Sequence, residues 1–240
     1  MSAHAGIFAA LLALAAPPVD DVRFTGWGRP ELGYLDTRPH YLARARLLAI
    51  PLPPPPRNGS AITRAELDEL LLLQAGRTSG DERAIEAHRS YAGVVRALMG
   101  GIKRAPSPRT KALLEHLDAD LTVAVFHAKR RFERARPHQL EPRVRPSIPV
   151  PAHAAYPSGH AAQGHLVARV LGAACPEHRA ALRAQGERIG REREVAGLHY
   201  ASDSAAGRAL AEQVFLALEA EERFRRDLKI ARAELGCKAH

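Results

Sequence analysis

From about residue 60 onward, apolar residues recur three and four positions apart, the spacing that gathers them on one face of a helix. The period-two alternation of a half-buried strand is nearly absent. These runs predict helices over 63–76, 81–100, 108–135, 159–174, 177–196 and 204–234, so the expected fold class is all-α, a single-domain helical bundle over residues 61–240. The start of one helix is marked locally: Pro157 precedes Ser158, a residue type suited to an N-cap. The apolar positions Ala161, Leu166, Val167, Val170 and Leu171 follow it.

Residues 19–60 lack this period and contain Leu52-Pro53-Pro54-Pro55-Pro56, which predicts an extended, proline-rich segment. Residues 1–18 read as a signal peptide. An apolar run from Ala5 to Ala16 places Ala13 and Ala15 before Pro17-Pro18, as an Ala-x-Ala cleavage site would, although no Lys or Arg precedes the run. A periplasmic or secreted protein is expected. Nothing else approaches the ~20 apolar residues of a membrane span, so no membrane insertion is expected.

Composition changes this picture little. The chain has 240 residues, 46% of them hydrophobic, enough for one sizeable core. A net charge of +9 with Lys129, Arg130, Arg131 and Arg134 close together suggests nucleic acid. Only 5% of residues are aromatic, no nucleic-acid motif is present, and Glu133 and Glu141 interrupt the run, so a solvated basic face is expected instead. Cys175 and Cys237 are compatible with one disulfide in an oxidising compartment or with two free thiols. Neither has metal-ligand spacing and there is no His-Glu-x-x-His, so no metal and no cofactor are expected.

The chemistry concentrates in three separated groups. His199 and Asp203 are four apart, so on a helical turn the carboxylate can hold one ring nitrogen and leave the other free to attack. Lys129 and Arg136 are seven apart, about two helical turns, and Pro137 is expected to end that helix with Arg136 at its mouth. Ser158 and Gly159 open a helix whose free amides cradle an anion, with His160 at the edge as a proton donor. Arg193 adds a planar guanidinium that can meet two phosphoryl oxygens. Phosphoryl transfer needs positioning and charge stabilisation, which this set supplies: His199 attacks phosphorus and His160 protonates the leaving oxygen, then activates water.

In order and spacing, Lys129-x6-Arg136-Pro137, Pro157-Ser158-Gly159-His160 and Arg193-x5-His199-x3-Asp203 resemble the three-part signature of the type 2 phosphatidic acid phosphatase superfamily. Bacterial class A non-specific acid phosphatases, lipid phosphatases and vanadium haloperoxidases belong to it. Gly33-Tyr34-Leu35 and the proline run followed by Gly59-Ser60 look like the N-terminal region of the class A enzymes. The resemblance implies a helical bundle of the acid phosphatase/vanadium haloperoxidase type and a metal-independent acid phosphatase acting on small phosphomonoesters. It assigns phosphate binding to Lys129, Arg136, Ser158, Gly159 and Arg193, acid–base work to His160, nucleophilic attack to His199, and orientation of His199 to Asp203. One position departs: where the family usually has serine before the last arginine, this chain has Glu192. A carboxylate there either weakens phosphate affinity by repulsion or points away. A vanadium-dependent oxidase and a non-catalytic phosphate-binding protein are the alternative functions. Homo-oligomerisation is left open.

Overall fold

The computed structural model describes residues 18–102 and 104–237; the predicted signal peptide lies, up to residue 17, outside the described residues. Helices α1 (Arg29–Gly33) and α2 (Arg44–Leu48) are short and belong to an N-terminal strap. The bundle follows: α3 (Ala61–Ala75), α4 (Ser79–Ala87), α5 (Tyr91–Met99), α6 (Pro108–Phe132), α7 (Pro137–Leu140), α8 (Gly159–Ala174), α9 (Arg179–Val195), α10 (Ala201–Glu219) and α11 (Glu222–Leu235). Among the described residues there is no strand, only one antiparallel bridge between Arg23 and Arg134. The chain is all-α, as its periodicity predicts.

Hydroxyl side chains start most of the long helices. Ser60, Ser90, Ser107 and Ser158 each accept a hydrogen bond from the backbone N–H three residues on, and Thr78 forms a reciprocal pair with Asp81. Each such cap is worth about 1 kcal/mol. Ser90 also explains why the predicted helix 81–100 is two: its side chain competes for the backbone and restarts the chain as α5. The turn is tight, since a Cβ on Gly93 would stand 2.2 Å from the carbonyl oxygen of Ala87. The predicted helix 204–234 also divides, at Ala220–Glu221, and α11 folds back against α6 and α10.

Helix α8 runs through the middle, with α9 and α10 against it. The α8/α9 contact is backbone to backbone at Gly164 and Gly186, where a Cβ on either would lie 2.8 or 2.6 Å from the other's carbonyl oxygen. Leu117, Leu121, Leu166, Val170, Leu210 and Val214 fill the core between α6, α8 and α10, each fully buried side chain contributing roughly 2 kcal/mol. Cys175, after α8, and Cys237, after α11, are joined in a disulfide, which resolves the alternative left by the sequence.

The strap is packed rather than a free connector. Tyr156 donates its hydroxyl to Pro53 O at 2.6 Å, and Asp120 accepts the backbone amides of His40, Tyr41 and Leu42. Tyr34 is thereby brought to the bundle, its ring 4.4 Å from that of Phe126.

Candidate active site

Helix α6 ends earlier than the sequence suggests. Glu133 adopts a left-handed conformation (φ 46°), after which residues 134–136 run extended, so Lys129 and Arg136 do not share a helix. Pro137 begins α7 instead of ending α6. The stop nevertheless brings the two cations together. In extended backbone, residues two apart project to the same side, so Arg134 and Arg136 both turn inward. Lys129 is fully buried and donates to Ala154 O (2.8 Å) and Ala155 O (3.1 Å).

His199 precedes α10, and Asp203 stands in that helix's first turn. The pair therefore spans a helix start, with Asp203 also accepting the Tyr200 amide at 3.1 Å. His199 Nδ1 lies 3.1 Å from Asp203 Oδ2, and Nε2 lies 3.2 Å from Arg136 Nη1. A guanidinium only donates and an ionised carboxylate only accepts, so Nδ1 carries the hydrogen and Nε2 presents its lone pair. Asp203 is ionised because, against the cost of its complete burial, the Arg134 guanidinium holds its carboxyl well below the usual carboxylate range. Burial first, then Arg136, pushes His199 down to about 3, so its imidazole is neutral.

Arg134 was expected on a solvated basic face and is not there. It is buried, donates to Asp203 Oδ1 (2.6 Å) and Ser202 Oγ (2.7 Å), pairs with Glu66 (3.2 Å) and lies 3.9 Å over the Tyr200 ring. The sequence signal that could have found it is its spacing of two from Arg136, once the helix stop at Glu133 is known.

At the start of α8, Ser158 Oγ accepts from the Ala161 amide, while the amides of Gly159 and His160 are left without intrahelical partners. Gly207 lets α10 cross this point, since a Cβ there would stand 2.4 Å from Ser158 O. His160 Nε2 lies 3.1 Å from Arg89 O, which makes it the protonated nitrogen in the neutral ring. Burial and Arg193 push His160 down to about 3. Arg193 donates Nη2 to Ile85 O at 2.8 Å, and its Nε and Nη1 are buried without a partner.

These side chains meet at a cavity of about 380 Å³ lined by Lys129, Gly159, His160, Arg193 and His199, with Tyr34, Phe126, Asp118 and Gln163 on its walls. Arg136, Ser158 and Asp203 lie behind that floor. His153, near the second motif, also lines the cavity and faces Arg136 Nη2 at 3.0 Å. Burial keeps Lys129 well below its ordinary range and brings Arg136 down to about 10; a bound dianion would relieve both. Asp118, raised to about 6 by burial, accepts from Gln163 at 2.8 Å. A larger cavity of about 480 Å³ beside Arg169, Arg179 and Arg183 contains none of these groups. Glu192 turns away from the site cavity to His88, 2.7 Å from its Nδ1. Among the described residues, no cluster of His, Cys, Asp and Glu has a metal-binding arrangement, and no helix is long and apolar enough to cross a membrane.

No family model matches the chain. A non-specific acid phosphatase from Salmonella typhimurium is 31% identical over 201 residues, 78% of this chain and 79% of its own length. One from Providencia stuartii is 28% identical over 247 residues, 97% of this chain and 95% of its own. In fold the chain is similar to a bacterial vanadium-dependent chloroperoxidase, with a TM-score of 0.64 at 13% identity; the match covers 82% of this chain and 55% of that one. A bacterial vanadium-dependent iodoperoxidase gives a TM-score of 0.61 at 14% identity, covering 84% of this chain and 60% of that one.

Proposed function

Because the chain belongs to the bacterial non-specific acid phosphatases, within the type 2 phosphatidic acid phosphatase superfamily, we propose that it hydrolyses small phosphomonoesters through a phosphohistidine on His199, without a metal. The observation that carries this reading is the tautomer of His199: Asp203 holds Nδ1–H, and the unprotonated Nε2 stands at the floor of a cavity rimmed by Lys129, Arg193 and the α8 amides. A dianion entering there draws the Arg136 N–H from Nε2 to a phosphoryl oxygen. Nε2 then attacks phosphorus in line as the P–O bond to the leaving group breaks. His160 gives its proton to that oxygen; once unprotonated, it takes one from the water that cleaves the P–N bond, releasing phosphate and restoring His199. Cations and amides stabilise the equatorial oxygens throughout, and mutagenesis of such groups typically costs 10²–10³-fold each, about 3–4 kcal/mol.

The proposed ionisation fits this sequence. Before substrate binds, burial first and then Arg193 keep the His160 ring neutral, and two negative charges of substrate reverse the local field, raising its proton affinity where the acid is needed. Residues 1–18 are proposed as a cleaved signal and the periplasm as the site of action, a reading supported by the Cys175–Cys237 disulfide.

Hydrolysis of p-nitrophenyl phosphate from acid to neutral pH, with chelator throughout and vanadate in a parallel series, tests the proposal. Chelator-resistant, vanadate-inhibited turnover is expected. Folded protein that binds phosphate without turnover contradicts it.

A further inference from the structure

The corner between α4 and α5, residues 85–91, supplies no side chain that the proposed reaction uses, yet it holds two groups that do. Ile85 O accepts from Arg193 Nη2, and Arg89 O lies against His160 Nε2. The same corner is tied to α9 by His88, whose Nδ1 lies 2.7 Å from Glu192 Oε2. Glu192 is next to Arg193 in sequence, and the same Oε2 is 3.6 Å from Arg193 Nη2. Both members of the tie are largely enclosed, with side-chain exposures of 15% for His88 and 9% for Glu192. Glu192 Oε1 is buried without a partner. A carboxylate in this position has two cationic or polar claimants, His88 on one side and Arg193 on the other.

We infer that Glu192 is a positioning residue, held by His88, that acts through Arg193 to set how tightly the site grips phosphate. With His88 in place, the carboxylate is drawn towards the corner. Arg193 Nη2 then donates to Ile85 O with the carboxylate no nearer than 3.6 Å, and the Nε and Nη1 hydrogens stay free for an anion. Without His88 nothing holds the carboxylate there, and Arg193 becomes its strongest neighbour. A direct pair would occupy the guanidinium and offset its charge against the ligand. Glu192 also opposes an anion weakly even when held, because a negative charge a few ångströms from Arg193 in a partly dry site is not fully screened. The tie therefore allows an acidic residue to stand beside an anion-binding arginine. Other charges facing the pair are few. Glu86 acts on Arg193 from the same corner, while Glu194 and Glu69 are both engaged by Arg191.

The inference rests on the phosphatase reading only in taking Arg193 to touch phosphate, so binding of inorganic phosphate, measured by calorimetry at fixed pH and ionic strength, tests it apart from turnover. The variants are His88→Ala, Glu192→Gln, the double variant, and Glu187→Gln as a control on the exposed face of α9. His88→Ala should weaken phosphate binding on the order of tenfold, and Glu192→Gln should tighten it several-fold. The double variant should return to the level of Glu192→Gln instead of adding the two effects. The control should bind as wild type. A purely structural tie would lower the melting temperature in each variant and leave the dissociation constants alike or additive, which would overturn the inference. If Glu192→Gln fails to fold, the His88→Ala dissociation constant decides by itself: unchanged binding rejects the inference. Phosphate bound with the expected pattern but no hydrolysis would leave the inference standing and remove the proposed function. Hydrolysis with identical binding in all variants would do the reverse.

Discussion

Arg134 Nη1 donates to Asp203 Oδ1 at 2.6 Å, while the other oxygen of the same carboxylate faces His199. Asp203 thus stands between a permanent cation and the imidazole, and all three are buried. Arg134 keeps the carboxylate ionised, the ionised carboxylate fixes the Nδ1–H tautomer, and the tautomer exposes Nε2.

Removing Arg134 should therefore cost both stability and turnover. Arg134→Met leaves Asp203 and Glu66 without their cation, and breaking a buried pair from one side costs about 3–5 kcal/mol. Denaturant unfolding should show that loss. Turnover at a temperature where the variant is folded should fall at least tenfold, and a wild-type rate would mean that Asp203 does not depend on Arg134.

His199→Ala should abolish hydrolysis, because it removes the imidazole whose Nδ1–H is held by Asp203 and whose Nε2 faces the cavity. Asp203→Asn should retain the fold and lose several orders of magnitude in kcat, since an amide can hold the ring in the wrong tautomer. Steady-state rates together with circular dichroism check both. Near-normal rates in either variant rule out the assignment of the nucleophile.

Acid should destabilise the empty protein specifically. His199 and His160 are held at about 3 in the fold, against an ordinary value near 6.5 in the unfolded chain. Between these values the unfolded chain binds protons that the folded one refuses. Stability is complete above pH 6.5 and falls as pH drops towards 3, by up to about 1.4 kcal/mol per pH unit for each histidine. Melting temperatures between pH 7 and 4 should decline in buffer and decline less with saturating phosphate, whose charge favours the protonated ring. A flat or rising profile without phosphate would contradict the burial argument.

Reducing the Cys175–Cys237 bond should loosen α11 from α8. Their separation of 62 residues corresponds to about 4 kcal/mol in the chain-entropy account. Unfolding in urea with and without a thiol reductant measures it. The site lies on the other end of α8, so the activity of folded protein should be unchanged by reduction.

Much of this site is legible in the chain because its chemistry is local. Ser158 caps α8 at the residue that the apolar pattern indicates, and α8 occupies residues 159–174 as predicted. His199 and Asp203 meet as their spacing requires, although only Asp203 is helical. What the chain conceals is set by tertiary packing. Glu133 takes a left-handed conformation that a glycine would have announced, so the end of α6 and the inward turn of Arg134 give no local signal. The break at Ala220–Glu221 likewise carries neither glycine nor proline. Glu192 is visible as a departure from the family pattern, but its partner His88 is 104 residues away and only the fold brings them together.

The central claim is a covalent bond between His199 and phosphorus. Rapid mixing with a labelled aryl phosphate, quenching in base within the first turnover, and mapping the label by mass spectrometry tests it most directly. An acid-labile, base-stable phosphoryl group on His199, absent from His199→Ala, is the predicted result. Turnover with no phosphoenzyme, or with the phosphoryl group on another residue, would contradict the account.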